Sequence, residues 1–309
     1  MDFNKNNTFI AQPEQNIFSA SSAKNTFMVP NAISTCYIDA LIMALFFTPS
    51  HISNRLLNCD PTEFNAIYLQ ELIKEEFINK VRNYHNVTIE SIDIIRSTCF
   101  HIGWQNFNED EYYAQQDISE FYEFLVSKLD NTCLIEIQRV TMTDNKENDV
   151  GKIEYLSHIP LSFSDNNKEI TVNINKLLDD WMYNNFVDLN NTKSLNSYTL
   201  TNIPQFIPLL INRFKNTNER IMTNVNIQSS INPFQNSTSL KWNIHSIICH
   251  SGETAKSGHY YSIIFDDILN KWYIFDDQQV ESFKELNIKS PEISNDIKKN
   301  VVMIFYKLQ

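Results

Sequence analysis

With 309 residues, 42% hydrophobic content and 12% aromatics, the chain carries enough apolar surface for one large domain or two modest lobes. A formal net charge of -12 and a pI near 5.0 are the opposite of the clustered Lys and Arg that nucleic-acid binding needs, and favour a basic partner. The longest apolar run, Ala40 to Phe47, is far short of the ~20 residues of a membrane helix, and no basic-then-apolar signal pattern opens the chain. The expectation is a soluble protein with no nucleic-acid or membrane partner, in the cytoplasm or nucleus.

Five cysteines (Cys36, Cys59, Cys99, Cys133 and Cys249) are odd in number, scattered and never spaced C-x-x-C. Neither a disulfide framework nor a four-thiolate zinc site follows, and a reducing compartment suits them. The compact, Asn-rich chain would suit a protist or a large DNA virus acting inside a eukaryotic host.

Residues 1–28, rich in Asn, Gln and Ser, read as a flexible arm, with structure starting near Val29-Pro30. From Cys36 to Asp130 the apolar spacing is mostly helical: IDALIMALFF, EFNAIYLQELIKEEFINKVRNY, IESIDIIRSTCF and QQDISEFYEFLVSKL. Past about residue 150 it changes to short β-rich runs, among them QFIPLLINRF, WNIHSIICH, HYYSIIF, KWYIFDD and VVMIFYKL. A helical lobe over 29–150 and a mainly antiparallel sheet over 151–309 are therefore predicted, an α+β chain. NNFVDLNNTKSLNS reads as a polar loop.

Cys36 falls where a helix should begin, with Thr35 or Ser34 as cap, so unpaired N–H groups and the positive helix end favour a thiolate there. Alone, a cysteine in such a place is more often structural. HYYSIIF (259–265) and KWYIFD (271–276) alternate as two strands of a hairpin joined by DDILN. A loop of two or four residues, pairing Phe265 with Asn270, sets His259 opposite Asp276; an odd loop sets Asp277 there. Facing Cβ atoms lie about 4.5–5.5 Å apart, close enough for a carboxylate to orient an imidazole. His250, before a Ser- and Gly-containing stretch and with no acid opposite, reads as a loop or substrate-facing residue. A metal site from His250, His259, Asp266 and Asp276 has no tight ligand spacing behind it.

NAISTCYIDAL resembles the cysteine box of the ubiquitin-specific proteases, and CHSGETAKSGHYYSIIFDDILNKWYIFDDQQV resembles their histidine box. QQDISEF, IPQFIPLLINRF and VVMIFYKL are similar to further family blocks in the expected order, so the resemblance runs from about Val29 to Leu308. It implies a papain-like cysteine protease fold with a helical thumb and an antiparallel β palm and fingers. It also implies Cys36 as nucleophile, His259 as base, Asp276 as the acid that orients it, Asn31 as oxyanion donor and Asp277 as a supporting acid. Gln116, Asp117, Glu120 and Phe121 match a substrate-binding helix. Gly258, Tyr260 and Trp272 match positions along the channel for a Gly-Gly tail, Gly258 through close backbone approach by substrate. The chain departs from the family in having Ile33 for Gly, Ser34 for Asn, Asp39 for Asn, and fingers without the paired C-x-x-C zinc ligands; no metal or other cofactor is implied. The activity implied is hydrolysis of the (iso)peptide bond after the C-terminal Gly of ubiquitin, with ubiquitin or ubiquitinated proteins as partners. The alternatives are a catalytically weak ubiquitin-binding module and a protease for another ubiquitin-like modifier.

Overall fold

The computed structural model describes residues 26–105, 109–130, 134–142, 148–163, 170–189, 192–214, 219–234, 240–254 and 257–309. Helix α1 (Cys36–Phe46) buries all eleven of its residues. Its sequence explains why: apolar residues occupy every face, and Ala40 and Ala44 let neighbouring elements approach closely. Around it stand α2 (His51–Asn58), α3 (Phe64–Leu72), a π-helical stretch (Ile73–Ile78) running into the single turn α4 (Asn79–Arg82), α5 (Ile89–His101), the short α6 (Glu109–Tyr112) and α7 (Ile118–Leu129). Thr88 and Asp117 cap α5 and α7 through their side chains. The eight-residue α2, too short to show periodicity, is held by a capping box between Ser50 and Ser53.

Strands begin earlier than the sequence pattern indicates. The change falls between Leu129 and Ile135, not near residue 150, because β1 (Ile135–Met142) pairs with β2 (Asn148–Leu156). The supposed loop over 184–197 is also a strand pair, β5 (Asn185–Leu189) with β6 (Thr192–Leu200), and β6 pairs with β1. The resulting four-stranded sheet has the order β2-β1-β6-β5.

The remaining elements are β3 (Ile159–Leu161), β4 (Thr171–Asn173), α8 (Ile174–Tyr183), β7 (Phe206–Ile211), β8 (Asn224–Asn226), β9 (Ser230–Ile231), β10 (Trp242–Thr254), β11 (Ser257–Asp266), β12 (Lys271–Phe275), β13 (Phe283–Leu286), α9 (Pro291–Asn300) and β14 (Val301–Leu308). Strands β13-β12-β11-β10-β14-β7-β3 line up in the main sheet, with β9 beside β10. Alternate side chains serve opposite faces. Ile248, Tyr260, Ile264 and Met303 join the core of the helical lobe, whereas Ile247, Cys249, Tyr261, Ile263 and Ile304 pack with α8 and α9. Burial on both sides is why these strands read as nearly continuous apolar runs. Residues 1–25 of the expected arm lie outside the described residues. Phe27 already belongs to the core, its ring stacked on Phe283 with centroids 4.9 Å apart, so ordered structure starts before residue 28.

Candidate active site

Cys36 is the first residue of α1, as the sequence predicts, but Thr35 does not cap the helix with its side chain. The Thr35 hydroxyl instead accepts from the Ala32 amide at 2.9 Å and donates to Asp39 Oδ2 at 2.8 Å. It ties the approach loop to the first helical turn. Ile33 and Ser34 both take φ of 58°, the left-handed region where the family has glycine at the first position. Arg96 Nη1 holds the Ile33 carbonyl at 2.7 Å, and its guanidinium lies over the Tyr112 ring at 4.3 Å.

α1 packs on β11, and the Tyr260 main chain lies close enough to the Cys36 sulfur to favour its ionisation, which sets the thiol beside the residue that follows His259. Burial pushes the Cys36 thiol up to about 12, and the acids Asp277 and Asp39 push in the same direction against the main chain of Tyr260 and Tyr37. The helix start alone therefore does not make a resting thiolate.

His259 Nε2 donates to Asp276 Oδ1 at 2.8 Å and lies 3.6 Å from Asp277 Oδ1. Its Nδ1 is buried and has no hydrogen-bond partner. With the proton on Nε2 for the carboxylate, the lone pair is on Nδ1. The contact does not arise from the expected pairing. The β11–β12 hairpin has its turn at 267–270 and pairs Asp266 with Lys271, and its ladder ends at Ser262 and Phe275. That register sets neither acid opposite His259. Asp276 lies past the end of β12, in a turn closed by Gln279 N–H to Asp276 O, and reaches the imidazole from there. Burial raises the Asp276 carboxyl, but the His259 hydrogen bond and the Gln278 N–H outweigh it and hold the group below the usual carboxylate range. Asn31 Nδ2 donates to Asp277 Oδ2 at 2.8 Å, so the residues chosen as oxyanion donor and supporting acid touch each other.

The other predicted residues divide. Asp117 and Glu120 are exposed at the start of α7, where Asp117 caps the helix. The Gln116 amide bonds the Glu111 carbonyl at 2.8 Å. Phe121 is a correction: it is 1% exposed, edge-on to Tyr37, and belongs to the core. Tyr260 is likewise buried, against His250. Trp272 sits four residues, about 13 Å, along β12 from Asp276 and packs on Phe265 at the turn end of the hairpin, away from the site. Gly258, at φ 148°, needs no substrate to explain it: a Cβ there would meet Ser251 O at 2.4 Å and His250 Nε2 at 2.6 Å. His250 is no loop residue. It is buried in β10 with Nε2 2.9 Å from the Gln115 amide, and burial with the nearby Arg220 lowers its pKa to about 4. Gln115 and Arg96 had no sequence signal of their own. His259, Asp276 and Asp277 also have ligand atoms within 4.8 Å of one another, close enough for a metal ion. The Nε2–Oδ1 hydrogen bond accounts for their approach without one.

The papain-like α+β architecture recurs in a solved chain of the SAGA DUB module with Ubp8, Sgf11, Sus1 and Sgf73 bound to monoubiquitin. The TM-score is 0.66 at 15% identity, over 92% of this chain and 69% of that one. The sequence profile of ubiquitin carboxyl-terminal hydrolase matches residues 29–306, and the chain belongs to that family. Ubiquitin carboxyl-terminal hydrolase 15 of Saccharomyces cerevisiae is 21% identical over 81% of this chain, and that of Schizosaccharomyces pombe 24% identical over 81%. The chain spans about a quarter of the length of these two relatives (23% and 24%).

Proposed function

We propose that the protein is a deubiquitinating cysteine protease that cleaves the (iso)peptide bond after the C-terminal Gly of ubiquitin through Cys36, His259 and Asp276. The observation that carries this reading is His259, with Nε2 committed to Asp276 and Nδ1 unpartnered, next in sequence to the residue whose main chain lies close to the Cys36 sulfur. Because burial keeps the thiol protonated, Nδ1 takes the proton as Cys36 Sγ attacks the carbonyl carbon. The carbonyl electron pair moves to oxygen, where Asn31 and the Cys36 N–H stabilise it. Collapse breaks the C–N bond, the amine leaves with the proton from His259, and water then cleaves the thioester with His259 again as base. Asp276 fixes the tautomer and offsets the charge of the imidazolium.

The exposed acids Asp117 and Glu120 suit a basic extended tail, and the net charge of -12 has the same sense. The free thiols Cys36, Cys59, Cys99 and Cys249 fit a reducing compartment, the cytoplasm or nucleus. The test is reaction with ubiquitin bearing a C-terminal electrophile, beside probes of other ubiquitin-like modifiers. A covalent adduct with the ubiquitin probe, lost in Cys36→Ala, is expected. No adduct with any probe would sink the protease reading, and an adduct that survives Cys36→Ala would sink the site.

A further inference from the structure

Asp39 stands one helical turn beyond Cys36 and has no solvent exposure. Its Oδ2 accepts the Thr35 hydroxyl at 2.8 Å, while Oδ1 is buried without a donor. Asp277, 5% exposed, shows the same split: Oδ2 accepts from Asn31, and Oδ1 is buried with no hydrogen-bond donor. The two carboxyl groups lie close enough for each to act on the other's ionisation, and each has one oxygen to spare. Ionised carboxylates only accept, so a hydrogen bond between the two spare oxygens needs a proton, and one shared proton relieves both the repulsion and the unpartnered oxygens. The surroundings favour it. Burial, then Asp277, places the Asp39 carboxyl well above the usual range, against Thr35 and Arg96 from α5. Burial also raises Asp277, to about 6, against His259, Asp39 and Asn31, with Asp276 adding to the rise.

We propose that Asp39 is a positioning residue that shares one proton with Asp277 and thereby fixes the carboxyl group that holds the Asn31 amide, the oxyanion donor. The inference rests on the functional reading above. Its benefit is electrostatic as well as geometric. Both acids oppose the Cys36 thiolate, and the shared proton leaves the pair with one negative charge instead of two. Loss of that proton at alkaline pH puts two carboxylates in contact inside the core, with Cys36 and Tyr37 the ionisable neighbours along α1.

The experiment uses the full chain, with Asp39→Asn and Asp39→Ala. Infrared spectra should show, in the unsubstituted protein at neutral pH, a protonated carboxyl band that disappears in Asp39→Asn. No such band, or one that persists in Asp39→Asn, overturns the proposal. In hydrolysis of a fluorogenic C-terminal amide of ubiquitin, Asp39→Ala should lower kcat about tenfold or more with little change in KM. Asp39→Asn, whose amide still donates, should recover most of that loss and abolish the alkaline fall of kcat. Equal loss in the two variants, or an unchanged alkaline limb, also overturns it. Because the infrared band needs no turnover, an inactive protein that keeps the band refutes the protease reading and leaves the acid pair standing.

Discussion

At Ile33 a β-branched residue holds φ of 58°, a conformation that L residues enter at a cost of about 1–2 kcal/mol. The side chain is 63% exposed, so no packing offsets that cost. Ile33→Gly relieves the strain but loosens the unfolded chain by about 0.4–1 kcal/mol. The expected net is a gain of between about 0 and 1.6 kcal/mol in urea unfolding, and a clear loss of stability would contradict the strain. The sequence marks Ile33 as a departure; the structure shows that the backbone keeps the conformation a glycine would favour, with Arg96 on the carbonyl. Asp276→Asn tests the next residue in the argument. The amide cannot anchor the Nε2–H tautomer as a carboxylate does, and kcat should fall on the order of 10²-fold or more. The pH dependence has a definite sign. The folded Asp276 carboxyl lies below its unfolded value, so its contribution to stability is complete above the ordinary carboxylate range and is lost as pH falls through the folded value. Acid unfolding of Asp276→Asn should lack that contribution.

The hairpin β10–β11 shows what an element adds to its residues. Ser251 pairs with His259, and Gly258 lies against Ser251 O and the His250 ring. Gly258→Ala therefore requires the two strands to separate beside the base. The expected result is a loss of about 2–4 kcal/mol in stability together with lower kcat, measured by thermal unfolding and turnover; full activity would show that the hairpin yields at no cost. At this scale β7, β10, β11, β12 and β14 of the main sheet were legible because apolar residues dominate them and polar turns bound them, whereas the two-residue β9 and the mostly exposed β13 were not. The hairpin was legible too, but its register was not, since an even loop allows more than one pairing and the acid acts from beyond the strand end. α8 was missed although Ile174, Leu177, Leu178, Trp181 and Met182 carry helical spacing, whereas α9 carries a weak signal. α9 has Pro at its first position and buries only Ile297 and Asn300, so little apolar spacing marks it.

The molecule is organised around the main sheet, whose two faces belong to different cores. Trp104 packs in the helical lobe beside Phe121, at 5.2 Å between ring centroids, whereas Trp242 lies in the other core and donates its Nε1–H to Pro204 O at 2.7 Å. Strands β10, β11 and β14 supply side chains to both, so neither core can dissolve without removing one wall of the other. The candidate site depends on that coupling, because α1 supplies Cys36 and Asp39 from one face while the hairpin supplies His259 and the turn after it supplies Asp276 and Asp277. Cooperative unfolding across a shared element should then appear as a single transition. Variants that keep Trp104 alone or Trp242 alone as the fluorescent reporter should give the same urea midpoint, and loss of reactivity with the ubiquitin probe should follow that midpoint. Separate midpoints would mean that the helical lobe and the outer face of the sheet hold together independently, leaving the sheet unable to carry strain from Gly258 or Asp39 across the molecule.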